Sequence, residues 1–243
     1  MSTWLFDLGN TRLKCAPLLG GVVGEVLGTD HDGSEFAGGW DARLPARVEN
    51  ACVASVATPT LTAALLDALT RRCDRISLAR TQRACAGVRI AYAEPRRLGV
   101  DRFLALLAAH ARAPEPWLVV GVGTALTIDL LDGDGLHRGG RIAPSPMLMR
   151  EALHARAPHL PAVGGTYAEF AGDTAAALAS GCEGAALALI ARSVEAATVQ
   201  LGVAPGVLLH GGGASVLLPR LDGAELVPAL VLEGLACWAR TVA

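Results

Sequence analysis

Aromatic residues are scarce: Phe, Trp and Tyr make up 4% of 243 residues, although 52% are hydrophobic. The core must therefore be built from small and branched aliphatics, as in many α/β proteins. Neither sign of charge is in large excess. With 21 basic and 23 acidic residues the net charge is −2, which argues against a nucleic-acid partner. An anionic ligand would have to be held by local groups rather than by a global field. Cys-x-x-Cys pairs are lacking. Cys15, Cys52, Cys73, Cys85, Cys182 and Cys237 are dispersed, which argues against a zinc knuckle or redox motif and reads as reduced thiols of a cytosolic protein. The N-terminus has no basic region, and Asp7 interrupts its apolar start, so no signal peptide is expected. Uninterrupted apolar runs stop short of the ~20 residues that span a membrane.

What is present is a strand–turn–strand pattern that occurs twice. Trp4–Phe6 and Arg12–Pro17 read as strands around Gly9-Asn10, whose tolerance of positive φ suits a hairpin turn. Ala51–Val56 reads as a buried strand. Thr58–Arg72 has helical spacing, with Leu61, Leu65, Leu66 and Leu69 on one face. Ile76–Ala79 reads as a short strand and Asp101–Arg112 as a helix. Ala113-Pro114-Glu115-Pro116 cannot continue that helix and is the best boundary, giving expected domains 1–113 and 114–243. After it, Trp117–Asp129 is again a strand, a glycine turn and a strand. Leu5-Phe6 then falls on Val119-Val120 and Gly9 on Gly123, as a duplicated α/β domain would give. Gly139–Ala143 and Val207–His210 read as strands, and 146–156 and 174–199 as helices.

Several of these pieces are capable of chemistry. Gly9 would let a phosphate approach the backbone N–H groups, with Asn10 and Thr11 adding donors and Asp7 able to hold Mg²⁺ through water. The same turn also reads as a plain hairpin in which Asp7 accepts backbone hydrogen bonds. Gly123-Thr124 has the same two readings. Neither segment is a G-x-x-x-x-G-K-[ST] loop, and a strand pattern after Gly123 disfavours a dinucleotide fingerprint. His210-Gly211-Gly212-Gly213 leaves room for a flat ligand such as adenine, or is a flexible turn; an esterase reading lacks its G-x-S-x-G elbow. Asp101 is a helix N-cap or a catalytic base. His154 and His159 flank Arg156 without sharing a helical face, and read as surface residues.

In order, Asp7-x-Gly9-Asn10-Thr11-Arg12, Gly99-x-Asp101-Arg102, Gly123-Thr124-Ala125-x-Thr127-x-Asp129, Gly139-Gly140-x-Ile142-x-Pro144 and Ser180-Gly181 span nearly the whole chain. The ordered set resembles the type III pantothenate kinases. That resemblance implies duplicated ribonuclease-H-like (actin-like ATPase) α/β domains, each a mixed sheet flanked by helices, in a cytoplasmic homodimer. It implies ATP-dependent phosphorylation of pantothenate to 4'-phosphopantothenate, the first step toward coenzyme A. Carried over by motif, Asp7, Leu8, Gly9, Asn10, Thr11, Arg12, Leu13 and Lys14, with Thr124, would contact ATP. Asp101 would accept the proton of the pantothenate hydroxyl. Tyr92, Gly99, Val100, Arg102 and Thr174 would line the pantothenate site.

ATP with Mg²⁺ and a monovalent cation, K⁺ or NH₄⁺, are the cofactors the resemblance implies; no side chain is assigned as a direct metal ligand. The sequence departs from the family pattern at Gly121, where an Asp normally binds the monovalent cation, and at Ser145, where the family often has Gly. Two other functions fit the same fold: a non-catalytic regulatory accessory factor, and a superfamily kinase for another small hydroxyl substrate.

Overall fold

The computed structural model describes residues 2–242. They form two compact units. One comprises Met1–Pro114, Asp134–Leu136 and Ala229–Ala243; the other comprises Glu115–Gly133 and His137–Pro228.

In the first unit, β1 (Thr3–Leu8) and β2 (Arg12–Leu19) form the expected antiparallel hairpin. β3 (Val22–Val23) and β4 (Leu27–Asp30) both pair with the outer edge of β2. β5 (Val48–Ser55) runs parallel to β1, and β6 (Cys73–Leu78) parallel to β5. Between them lies α1 (Pro59–Thr70), which Thr58 caps by accepting from the Leu61 N–H. Its leucines at 61, 65 and 69 pack with Phe6, Leu8 and Val53. The small hairpin β7 (Ala84–Cys85) and β8 (Val88–Arg89) precedes α2 (Val100–Arg112).

The second unit repeats this order. β9 (Trp117–Val122), β10 (Ala125–Leu131) and β11 (His137–Pro144) form an antiparallel meander. α3 (Pro146–Arg156) and the long α4 (Thr174–Leu201) follow. β12 (Gly206–His210) then pairs parallel with β9. After the single turn α5 (Ala214–Leu217), β13 (Ala224–Leu226) pairs parallel with β12. The sheets therefore run β3-β2-β1-β5-β6 and β11-β10-β9-β12-β13, one strand order used twice. The copies also share a joint: the Val56 N–H donates to Leu8 O at 3.0 Å, and the Gly213 N–H donates to Val122 O at 2.9 Å.

The last helix, α6 (Leu230–Val242), packs with the first unit rather than with the sheet that precedes it in sequence. It lies along α2 and against β1, β2 and β5. The helices approach closely because Gly234 has no side chain; a Cβ there would overlap the Leu104 carbonyl. Arg112 and Glu233 add an ion pair at 2.8 Å.

Glu183, Arg192 and Glu195 interrupt the apolar runs of α4, in line with the sequence reading. At 28 residues, with a window of mean hydropathy 1.5, this helix has the length and apolarity of a membrane span. Yet Ala176, Ala179, Cys182, Ala186, Ile190, Ser193 and Ala197 make one buried stripe at helical spacing. Its Ala186, Ile190 and Ala197 join Leu118, Val120, Val122, Leu126 and Ile128 in the core of the second unit. Glu183, Arg192 and Glu195 lie off that stripe. Asp173 caps its start, and Gly202, at φ 74°, ends it.

Candidate active site

The turn after β1 carries the first candidate residues. It is closed by the Gly9 N–H donating to Arg12 O at 3.0 Å. Neither Gly9 nor Asn10 adopts a positive φ, so the expected reason for this pair is corrected. Gly9 is favoured instead by proximity: a Cβ would stand 3.3 Å from Arg12 O. Asn10, Thr11 and Arg12 are exposed, whereas Leu8 and Leu13 anchor the hairpin in the core. The Arg12 guanidinium leans outward over Gly28 to Asp30, Nε to Oδ1 3.4 Å.

Asp7 and Lys14 are register partners across this hairpin, so their side chains share a face. Asp7 is half-buried. Burial first, then the negative charge of Asp101, pushes its carboxyl up to about 7, while Lys14 pulls the other way. The structure thus brings Asp7, Lys14 and Asp101 into one electrostatic neighbourhood.

Asp101 does not cap α2. The capping position is Gly99, and Asp101 sits one residue inside the first turn. Its Oδ1 accepts from the Arg102 N–H at 2.8 Å. The carboxylate folds over Gly99, where a Cβ would stand 2.6 Å from Oδ1, which gives a steric reason for the glycine two residues earlier. Arg102 is buried, and its Nη1 donates to the Tyr92 hydroxyl at 3.5 Å. Tyr92, Gly99, Val100, Asp101 and Arg102 are therefore neighbours along the entry to one helix.

In the second unit the Gly123-Thr124 turn is closed by the Gly123 N–H donating to Ala125 O at 3.0 Å. Thr124 O accepts from the Ser145 N–H at 3.4 Å. Ser145 itself caps α3, its Oγ accepting from the Leu148 N–H at 3.2 Å. Ser and Gly are both acceptable at a helix N-cap, so this departure from the family pattern has a physical reason. Thr174 is the first residue of α4 and lines an open groove of about 940 Å³ with Leu148, Met149, Leu153 and Leu178. Asp129, the last motif residue of this segment, is buried against His137, Oδ1 to Nε2 2.9 Å, and ties β10 to β11.

Two features escaped sequence reasoning. His31 supports the first turn: its Nδ1 accepts from the Gly33 N–H at 3.2 Å, which leaves Nε2 to donate to Gly9 O at 3.0 Å. A lone histidine after an unrecognised edge strand carries no signal for this in sequence. The Gly211–Gly213 segment wraps the end of β9: Gly211, at φ 92°, and Gly213 both lie against Val122, and only Gly212 faces open space. Two of the three glycines are thus explained by close approach to a strand end.

The donor set fits Mg²⁺ in part. Asp7 and Asp101 are hard oxygen donors whose mutual repulsion a divalent cation would relieve. Among the described residues no group of three or more His, Cys, Asp or Glu could hold a metal. A magnesium ion here would therefore depend on water and phosphate oxygens for its remaining ligands. A monovalent cation at residue 121 is not fitted in this way, because Gly121 offers no side-chain oxygen.

A five-strand order used twice, each copy ending its first strand in a glycine turn, is the architecture of the sugar kinases and actin-like proteins. Solved structures agree. A protein described as a 2-dehydro-3-deoxygalactonokinase from Sinorhizobium meliloti superposes with a TM-score of 0.59 at 18% identity, covering 99% of each chain. One described as an N-acetylmannosamine kinase from Listeria monocytogenes gives 0.54 at 13% identity over the whole of both chains. A third, described as a Baf family transcriptional activator from Campylobacter jejuni, gives 0.65 at 18%, covering 98% of each. These likenesses establish the fold.

The chain belongs to the type III pantothenate kinase family, whose sequence model matches residues 4–196. It is 62% identical over 239 residues to the type III pantothenate kinase of Stenotrophomonas maltophilia (strain K279a), covering 98% of each chain. It is 57% identical over 244 residues to that of Xanthomonas euvesicatoria pv. vesicatoria (strain 85-10), covering 100% of this chain and 99% of the relative.

Proposed function

We infer that this protein transfers the γ-phosphoryl group of ATP to the primary hydroxyl of pantothenate, giving 4'-phosphopantothenate for coenzyme A synthesis. Full-length identity of 62% to a type III pantothenate kinase is the observation that carries this reading. The residues support it. Phosphoryl transfer asks mainly for positioning and charge neutralisation, with one base beside the nucleophile.

Asp101 is the proposed base. It accepts the hydroxyl proton as the oxygen attacks the γ-phosphorus, the bond to the ADP oxygen breaks, and the proton later leaves to water. Tyr92, Gly99, Val100 and Arg102 would hold pantothenate around it, with Thr174 a further contact. The turn from Asp7 to Lys14, and Thr124 in the second hairpin, would meet the nucleotide. The backbone N–H groups and Lys14 would take phosphate oxygens, and Asp7 would hold Mg²⁺ through water. Magnesium supplies neutralisation of the developing phosphate charge.

A homodimer in the cytoplasm, where ATP is supplied, completes the proposal. The groove between α3 and α4 is apolar, and Ile142, Met147, Leu153, Val163 and Phe170 are exposed in the same segment of the second unit. Such a surface suits a second copy of the chain.

ADP release should be followed with pantothenate, with several hexoses and acetylated amino sugars, and with no acceptor. Release that requires pantothenate is expected. Faster release with a sugar would replace this reading by that of another kinase of the same fold, and nucleotide binding without any release would replace it by a regulatory role.

A further inference from the structure

Gly121 is the fifth residue of β9, with Thr127 of β10 on one side and His210 of β12 on the other as its register partners. Side chains of register partners leave the sheet on the same face, so all three positions share one patch of surface. This is the face opposite the one that packs on α4, because the alternate residues Leu118, Val120 and Val122 belong to that core.

The patch is already filled. A Cβ on residue 121 would stand 2.7 Å from Thr127 Oγ1, 2.9 Å from His210 Nε2 and 3.1 Å from His210 Cε1. Each is shorter than a comfortable carbon contact, so an aspartate here would have to push both side chains aside. The sequence lacks the carboxylate expected at this place, and the fold gives its volume to an imidazole.

We propose that His210 replaces the carboxylate-and-cation pair at this position, so that phosphoryl transfer by this chain needs no monovalent cation. The inference rests on the kinase reading above. Its physical ground is space and donor chemistry: Gly121 supplies no side-chain oxygen to a cation, and the volume that a carboxylate would need is held by Thr127 and the His210 ring.

The test uses the full-length protein freed of potassium and ammonium, with ATP and pantothenate as tetramethylammonium salts. Turnover is measured with added tetramethylammonium, sodium, potassium or ammonium chloride at matched ionic strength, and the thermal midpoint of the ATP-bound protein is read in the same salts. Expected are rates within about twofold of one another and equal midpoints, since a ligand that does not bind cannot stabilise. A tenfold or greater activation by potassium or ammonium, or a midpoint raised by either, would overturn the proposal. Absence of turnover in every salt would sink the kinase reading alone, with the midpoints still deciding the cation question. In the double variant Gly121→Asp/His210→Ala, which restores the carboxylate and clears its space, potassium should raise the midpoint. Gly121→Asp alone should show no such rise, and a potassium response in that single variant would contradict the role given to His210.

Discussion

Asp101, near the start of α2, raises the carboxyl of Asp7 on β1, which burial has already lifted toward neutrality. Two carboxylates are thereby held in one partly desolvated place, with Lys14 the compensating charge. A folded-state pKa of about 7 against an ordinary 3.8 means that the native state binds more protons than the unfolded chain between those values. Stability contributed by this group is therefore present at low pH and is lost as pH rises toward neutrality. Chemical denaturation of nucleotide-free protein at about pH 5 and about pH 8 should show Asp7→Asn losing less stability over that interval than the wild type. An equal or steeper loss in Asp7→Asn would contradict the electrostatic account.

The cap of α3 gives a second prediction. Ser145→Ala removes the acceptor for the Leu148 N–H and should cost about 1 kcal/mol, whereas Ser145→Gly should cost only a few tenths. Urea unfolding of the two variants compares them directly. Equal losses would mean that the hydroxyl does not act as the cap.

The contact of α2 with α6 gives a third. Gly234→Ala places a methyl into the Leu104 carbonyl, a backbone atom with little freedom to move. Overpacking of this kind costs roughly 1–3 kcal/mol or more. Gly172→Ala, with open space around its Cβ position, is the control and should be nearly neutral. Thermal midpoints that fell equally in both would argue against close helix packing as the reason for Gly234.

His31 gives a fourth. Its Nε2–H bond to Gly9 O fixes the turn proposed to meet the nucleotide, without touching the nucleotide itself. His31→Ala should raise KM for ATP several-fold and leave KM for pantothenate unchanged. A matching rise in both would indicate a general loss of structure.

Much of this architecture was legible in the chain because it is local. The two hairpins, the leucine stripe of α1, and the Pro at the first position of α1 and α3 are written in short spacings that backbone geometry obeys. The place of α6 was not legible. Its polar residues Glu233, Arg240 and Thr241 do recur at helical spacing, but its return to the first unit is a long-range event that no local pattern shows. β3, β4, β7, β8 and β13 are two to four residues long, too short for alternation to show. The candidate site divides in the same way. Asp7, Gly99 and Asp101 stand in motifs that can be read by eye. His31 and His210 owe their places to strand register, which the sequence does not display.

In the proposed reaction Asp101 removes a proton from pantothenate during transfer from ATP. The most direct measurement of that step is the rate of 4'-phosphopantothenate formation, followed by mass spectrometry, for wild type and Asp101→Asn, with ATP affinity of both measured by calorimetry. Expected are product from the wild type, a fall of about 10²–10⁴-fold in kcat for Asp101→Asn, and ATP affinity retained. Product formed at the wild-type rate by Asp101→Asn would contradict this role of Asp101.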